Sequence, residues 1–221
     1  MPIEYHWQYL VSFFAVISAH SGIGKNVHFK ETGAMVMSLE EQRILPAIRK
    51  MRDLEKLFKS NYTYIVLLDC HIGQLKSIVD LGKANGKKLL LHADLIEGLK
   101  NDDYAAEFLC QSIRPAGIIS TRGNVITKTK QNGLIAIQRL FLLDSSALDK
   151  SYTLLERTKP DFIEVLPGII PHIITEVKER SGIPIFAGGL IRTVEDVDLA
   201  LGAGATAVTT SNTELWQHYH Q

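Results

Sequence analysis

Asp161-Phe162-Ile163-Glu164-Val165-Leu166-Pro167-Gly168 opens a stretch, running on to Asn212, in which one three-beat pattern occurs twice. The apolar run Phe162 to Leu166 is punctuated by Pro167-Gly168. Ile169 to Arg180 then carries apolar residues at helical spacing until Ser181-Gly182. On the second pass Pro184-Ile185-Phe186-Ala187 is punctuated by Gly188-Gly189. Thr193 to Leu201 follows as a helix, opened by Thr with Glu195 and Asp196 in its first turn and closed by Gly202 and Gly204. Ala207-Val208-Thr209-Thr210 is a third run, ended by Ser211-Asn212. Short apolar runs alternating with helices of this length predict βαβ units and a parallel sheet.

The alternation extends back to Ile44. Ile44-Leu45-Pro46-Ala47-Ile48 reads as a first strand, with Pro46 tolerable near a strand end, and Met51 to Lys59 places Leu54, Leu57 and Phe58 at helical spacing. Tyr64 to Leu68 is a strand ending at Asp69-Cys70-His71, Leu75 to Ala84 a helix, and Lys88 to Leu91 a strand ending at His92-Ala93-Asp94. A longer segment with Ile96, Leu99, Tyr104, Phe108 and Leu109 precedes Gly117 to Ile119, a strand ending at Ser120-Thr121-Arg122. A short, weakly apolar helix lies near Val125 to Lys130. Leu134 to Leu143 is a strand with Arg139 inside or just beyond it, and Ser146 to Thr158 a helix capped by Asp144 or Ser145. Eight strands and about seven intervening helices in roughly 180 residues is the count of a small (β/α)8 TIM-type barrel. The competing architecture, an open doubly wound sheet, usually stops at about five or six strands, and only a closed barrel leaves no edge unpaired.

Residues 1–36 do not share this rhythm. Leu10 to Ala19 is apolar but ten residues long, half of what a membrane span needs, and Glu4 precedes it where a secretory signal wants Lys or Arg. Gly22-Ile23-Gly24-Lys25 fails as a P-loop: Ala19 stands where Gly is required, and Asn26 where Ser or Thr holds magnesium. The expectation is an irregular leader outside a barrel of residues 37–221, with Met35 and Met37 as alternative starts of the native product. The 221 residues carry 24 basic and 24 acidic side chains, so no global field draws the chain to nucleic acid or membrane, although a local patch survives such balance. Cys70 and Cys110, without a CxxC or a His companion, read as reduced cytosolic thiols rather than a disulfide framework or a zinc site.

In either α/β architecture the carboxyl ends of the strands form the working surface. Here they supply Asp69, His92, Asp94, Arg122, Arg139, Glu164, Gly188-Gly189 and Thr210-Ser211-Asn212. Small residues in the loops after the seventh and eighth strands, followed by a helix start at Thr213-Glu214-Leu215-Trp216, suit the phosphate site common in barrels; the plainer reading of Gly188-Gly189 is a tight turn. Gly202-Ala203-Gly204-Ala205-Thr206-Ala207 spells a dinucleotide fingerprint. It lies between a helix and the following strand, the reverse of what that fingerprint requires. Asp69 and Asp94 are open between capping helices and serving a ligand, and His92 between a satisfied interior residue and a contact. Glu164, mid-strand, must face the mouth, where Arg139 or a ligand hydroxyl would relieve a buried carboxylate. No HExxH, His-x-His or clustered carboxylates point to a metal, and His218 and His220 near the end of the chain read as exposed.

Six runs, in order, resemble one family: Ile44-Leu45-Pro46-Ala47-Ile48-Arg49, His92-Ala93-Asp94-Leu95-Ile96-Glu97-Gly98-Leu99, Gly117-Ile118-Ile119-Ser120-Thr121-Arg122, Gln138-Arg139-Leu140-Phe141-Leu142-Leu143-Asp144-Ser145, Glu164-Val165-Leu166-Pro167-Gly168 and Ala187-Gly188-Gly189-Leu190-Ile191. That family is the glycerol-3-phosphate-responsive antiterminators of Gram-positive glycerol uptake operons, and the resemblance spans about Arg43 to Thr213. It implies a barrel fold, glycerol 3-phosphate as effector, no cofactor, and binding to the leader of a glycerol-metabolism messenger RNA so that transcription passes a terminator. On this chain it implies that Gly188, Gly189, Ser211 and Asn212 hold the phosphate. Asp94, Arg122, Arg139 and Glu164 are assigned the glycerol end from their strand-end positions.

No RNP1 run, KH loop or zinc knuckle marks the RNA surface. The electrostatic candidates are Arg49-Lys50-Met51-Arg52 with Lys56 and Lys59, the group Lys83, Lys87 and Lys88, and Lys128 with Lys130 beyond Arg122. Solvated helix faces are the competing explanation for each. No catalytic residue is assigned, and homo-oligomerisation is left open. The alternative function is a barrel enzyme (isomerase, synthase or prenyltransferase type) on a small phosphorylated substrate, with Asp69 and Glu164 as its acid–base pair.

Overall fold

From Ile44 onward the chain alternates strand and helix as the periodicity predicts, and the computed structural model describes Leu39, residues 41–100 and residues 102–220. The leader expectation for residues 1–36, with Met35 and Met37 as starts, lies outside the described residues. β1 (Ile44–Ile48) leads into α1 (Met51–Leu57), and β2 (Tyr64–Leu67) into the two-residue β3 (Cys70–His71) and α2 (Leu75–Ala84). β4 (Lys88–His92) is followed by β5 (Ile96–Glu97) and α3 (Asp103–Phe108), whose end winds into a π turn over Leu109–Ile113. Then come β6 (Gly117–Ser120), α4 (Gly123–Gln131), β7 (Ile135–Phe141), α5 (Ser145–Thr158), β8 (Phe162–Leu166) and α6 (Pro171–Ser181). β9 (Ile185–Gly188), α7 (Val194–Gly202), β10 (Ala207–Thr210) and α8 (Thr213–His218) complete the order.

Eight of these strands close in the ring β1-β10-β9-β8-β7-β6-β4-β2, every neighbouring pair parallel. Residues alternate between the two faces of a strand. One set, Leu45, Ala47, Tyr64, Val66, Leu90, Ile119, Ile135, Ile137, Phe162, Phe186 and Ala207, fills the barrel interior, with Phe162 and Phe186 stacked at 4.5 Å. The other set, including Ile44, Ile65, Leu89, Ile118, Ile163, Ile185 and Val208, packs under the helices against Leu54, Ile78, Leu155, Ile174, Val177 and Val197. The strands thus bury both faces, which is why they read as continuous apolar runs rather than alternating ones.

Helix starts all lie at the mouth end, and several are capped by the residue types the sequence offered. Asp144 accepts from the Ala147 N–H at 2.7 Å ahead of α5, and Thr193 forms a reciprocal capping box with Asp196 ahead of α7. The Arg192 and Thr193 N–H groups, both donating to Asp196 Oδ2 at 2.9 Å, hold the Asp196 carboxyl below its usual range. α6 begins at Pro171 rather than Ile169, because a ring without an N–H suits the first helical position. β3 and β5 pair with each other above the barrel, a pairing that two-residue strands cannot announce by periodicity. No helix among the described residues is long and apolar enough to cross a membrane.

Candidate functional site

The interior parity of each strand runs on past the apolar layers and places its next inward residue at the mouth. Ile135 and Ile137 are followed by Arg139, Phe162 by Glu164, Phe186 by Gly188, Leu90 by His92, and Ala207 by Thr209. Of this set Arg139, Glu164 and Thr209, together with Ala47 and Val66, line a cavity of about 200 Å³ at the carboxyl ends of the strands. Arg49, Leu68, Leu95, Arg139, Glu164, Leu166, Gly189, Leu190, Ile191, Thr209, Thr210 and Ser211 line it.

Glu164 is the deepest of the charged groups, with 6% of its side chain exposed. Its Oε1 accepts from Thr209 Oγ1 at 2.7 Å, and its Oε2 lies 3.4 Å from Arg139 Nε. That second contact is an ion pair without hydrogen-bond geometry, so Oε2 and Arg139 Nε each lack a hydrogen-bond partner within the protein. Burial pushes the Glu164 carboxyl above its ordinary range, and the Arg139 charge and the Thr209 hydroxyl partly offset it. Arg139 reaches His92 Nε2 with Nη1 and lies 5.1 Å from the Phe141 ring. An Arg can only donate, so Nε2 accepts and the proton sits on Nδ1. Burial first and Arg139 second hold His92 down to about 4, which keeps the ring neutral at physiological pH.

Gly188 leaves room for this arrangement. A Cβ there would come within 2.5 Å of Thr209 Oγ1 and 3.1 Å of Glu164 Oε1. Gly189 follows at φ +77° and Leu190 at φ +62°, a left-handed pair in the loop after β9, which lines the cavity; only the first residue adopts it without strain. The Gly168 N–H donates to Gly188 O at 2.6 Å and so fastens this loop to the one after β8.

Of the residues expected at the glycerol end, Arg139 and Glu164 share the cavity and the other two do not. The Asp94 carboxylate accepts from Ser120 Oγ at 2.6 Å, the Thr121 N–H at 2.7 Å and Thr121 Oγ1 at 2.9 Å, so it fastens β4 to β6. Arg122 stands exposed at the N-cap position of α4, where its side chain makes no capping hydrogen bond. Of the residues expected at the phosphate, Gly189 and Ser211 line the cavity and Gly188 sits under its wall. Asn212 does not turn its amide there: Oδ1 accepts from the Glu214 N–H at 3.0 Å, and Nδ2 donates to Arg192 O at 3.1 Å. It caps α8 and ties the loop after β10 to the loop after β9.

The basic residues separate too. Arg49 lines the mouth and pairs with Asp69, whereas Arg52 and Lys56 extend from α1 and share Asp53 at 3.9 and 3.3 Å. Lys128 and Lys130 stand in the last turn of α4, at the foot of the barrel. Lys128 lies 3.8 Å from Glu107, and Lys130 binds Lys159 O and Asp161. Lys87 is buried, donating to Ser60 O at 2.7 Å and Tyr62 O at 2.9 Å. Among the described residues no group of three or more His, Cys, Asp or Glu is placed to hold a metal ion. Thr209 and the His92–Arg139 contact were not singled out from the sequence, although the inward parity from Ala207 and Leu90 carries both.

Eight parallel strands closed around an apolar core, with a small charged cavity at their carboxyl ends, define a (β/α)8 barrel. The chain belongs to the glycerol-3-phosphate responsive antiterminator family, which it matches over residues 44–216. A solved structure of the glycerol uptake operon antiterminator regulatory protein of Listeria monocytogenes str. 4b F2365 is 52% identical, with a TM-score of 0.79 over 80% of this chain and 96% of that one. A glycerol uptake operon antiterminator-related protein of Thermotoga maritima MSB8 is 28% identical, with a TM-score of 0.71 over 80% and 98%. The uncharacterized protein YgcP of Escherichia coli (strain K12) is 32% identical over 178 residues, 80% of this chain and 93% of that one.

Proposed function

We propose that this chain is a cytoplasmic regulator that takes glycerol 3-phosphate into the barrel mouth and, so loaded, binds the leader messenger RNA of a glycerol-metabolism operon and prevents termination. The observation that carries the ligand half is the cavity itself. It sets the Arg139–Glu164 pair beside the backbone of Gly189 and the hydroxyl of Ser211, polar groups at both ends of a space sized for a three-carbon ester. Family membership supports the RNA half. For the RNA we favour the exposed face of α1 with Arg52 and Lys56, which begins two residues after the mouth residue Arg49.

Against the enzyme reading, Asp69 pairs with Arg49 and is not among the residues that line the cavity with Glu164. The test is leader RNA binding by the full chain with and without glycerol 3-phosphate, beside a turnover assay on the same compound. Ligand-dependent RNA binding without consumption of the ligand is expected. Turnover without RNA binding would overturn the reading.

A further inference from the structure

Resting on the proposed RNA-binding function, we infer that the groove between α1 and α8 receives one unpaired base of a single-stranded RNA segment, with the neighbouring phosphates on the lysines of α1. The groove encloses about 310 Å³, more than the roughly 200 Å³ of the mouth. Its floor is apolar and aromatic: Leu57, Tyr62 and Trp216 line it, each with 6% or less of its surface exposed. The polar ends of the two rings are already bound inside the fold. Tyr62 Oη donates to Trp216 O, and Trp216 Nε1 to Thr210 O, both at 2.8 Å. What they leave to the groove is ring carbon. An apolar slot rimmed by cations matches the two halves of a nucleotide, since every base has a π face and every backbone unit a phosphate.

The rim supplies the polar contacts. On the α1 side Lys56 and Lys59 line the groove, and Arg52 stands one turn back from Lys56 on the same helix. Asp53 lies 3.3 Å from Lys56, whereas the Lys59 ammonium has no ion-pair or hydrogen-bond partner among the described residues. On the α8 side the Gln217 amide is likewise without a partner among them, so one side chain offers a base edge both a donor and an acceptor. His220, just past the end of α8, is held in place at the rim. Its Nε2 accepts from the Asn61 N–H at 3.2 Å, and its ring packs edge to face with Tyr62, centroids 5.8 Å apart. Among the described residues none of those lining the groove is acidic, so its charge complements a polyanion. Each wall also leaves the mouth within two residues of a cavity-lining side chain, α1 after Arg49 and α8 after Ser211. The groove therefore lies on a short route from effector to RNA.

The test is a titration of leader RNA with the full chain, saturated with glycerol 3-phosphate, at several salt concentrations. The residues changed are exposed, and thermal melts confirm that each variant is folded. His220→Ala removes a stacking face and should weaken binding at least about fivefold with the salt slope unchanged. His220→Phe keeps a ring but not the acceptor for Asn61, and should bind within about twofold of wild type. Gln217→Ala should also weaken binding at constant slope, whereas Lys59→Ala should lower the slope by about one. If the Phe variant fails as the Ala variant does, His220 serves only to hold Asn61 and the base pocket is wrong. If His220→Ala and Gln217→Ala bind RNA like wild type, or change the sedimentation of the RNA-free protein instead, the groove serves something else and the inference fails while RNA binding stands. If the wild-type chain does not bind the leader RNA at all, the proposed function fails first.

Discussion

A single inward step along each strand separates an apolar barrel filling from a charged floor, and the residues at that step are the most sensitive in the molecule. Gly188 is one. A methyl group there meets the short, β-branched Thr209 side chain at 2.5 Å, and Thr209 cannot swing away without releasing Glu164. Gly188→Ala should cost about 1–3 kcal/mol through overpacking and lower Tm by roughly 2–10 °C. Glycerol 3-phosphate affinity should drop at least about tenfold in the same variant. Gly202→Ala, where an added Cβ meets nothing within 4 Å, is the control and should leave both unchanged or raise Tm slightly. Equal behaviour of the two variants in thermal unfolding and calorimetry would show that the floor has slack. His92 supplies the acid limb of stability. Unfolded, it titrates near its ordinary 6.5; folded, it is held to about 4. Between those values the unfolded chain binds the extra proton, so stability present above pH 6.5 is lost as pH falls toward 4, by up to about 3 kcal/mol. Glu164, raised by burial, works in the opposite sense: the folded state holds its proton more readily, and the stability that brings is lost as pH rises through its folded value. Denaturant midpoints measured from pH 7 to pH 4 separate the two, because His92→Gln should flatten the decline. An unchanged slope in that variant would remove His92 as its source.

At the scale of elements, what could be read from the sequence was whatever repeats, and what could not was whatever depends on a neighbour. Phe162 to Leu166 and Ala207 to Thr210 are strands over the expected residues, and Leu75 to Ala84 is the expected helix, since length, periodicity and flanking glycines agree at those places. Asp144 and Thr193 cap the helices they were placed before. The segment from Ile96 to Leu109 gave no clean period because it holds a two-residue strand, a short helix and a π turn in succession. Asn212 and Asp94 show the same limit within the site. Each is a strand-end polar residue of a type that serves ligands. The Asn212 side chain is taken by the neighbouring loop, and the Asp94 carboxylate by the end of β6. Strand parity carries Thr209 and the inward turn of His92 toward Arg139, whereas no spacing rule shows which carboxylate a neighbouring loop has already claimed.

At the scale of the whole molecule, the barrel separates two surfaces that the sequence had joined. Arg122 opens α4 at the mouth rim, but Lys128 and Lys130 close it at the foot, fastened to Glu107, Lys159 O and Asp161 at the entrance to β8. A ligand in the mouth would act on them only along the full length of a helix packed on its sheet. Arg49 offers a shorter connection. It lines the cavity, pairs with Asp69 at the surface, and stands two residues before α1, whose Arg52 and Lys56 are largely exposed. An anionic ligand competes with Asp69 for that guanidinium and so bears on the turn that sets α1. If this link carries the coupling, glycerol 3-phosphate and leader RNA must raise each other's affinity by one common factor. Arg52→Ala with Lys56→Ala should weaken RNA binding and reduce its salt slope by up to about two, with glycerol 3-phosphate affinity in the absence of RNA unchanged. Lys128→Ala with Lys130→Ala should leave RNA affinity near wild type and lower Tm only modestly, since both ion pairs are partly exposed. RNA titrations at several salt concentrations decide between the two faces. Loss of binding in the α4 pair alone would move the RNA to the foot of the barrel and require the signal to pass through the packed core, where a shift in the Arg139–Glu164 floor would have to be felt at Asp161.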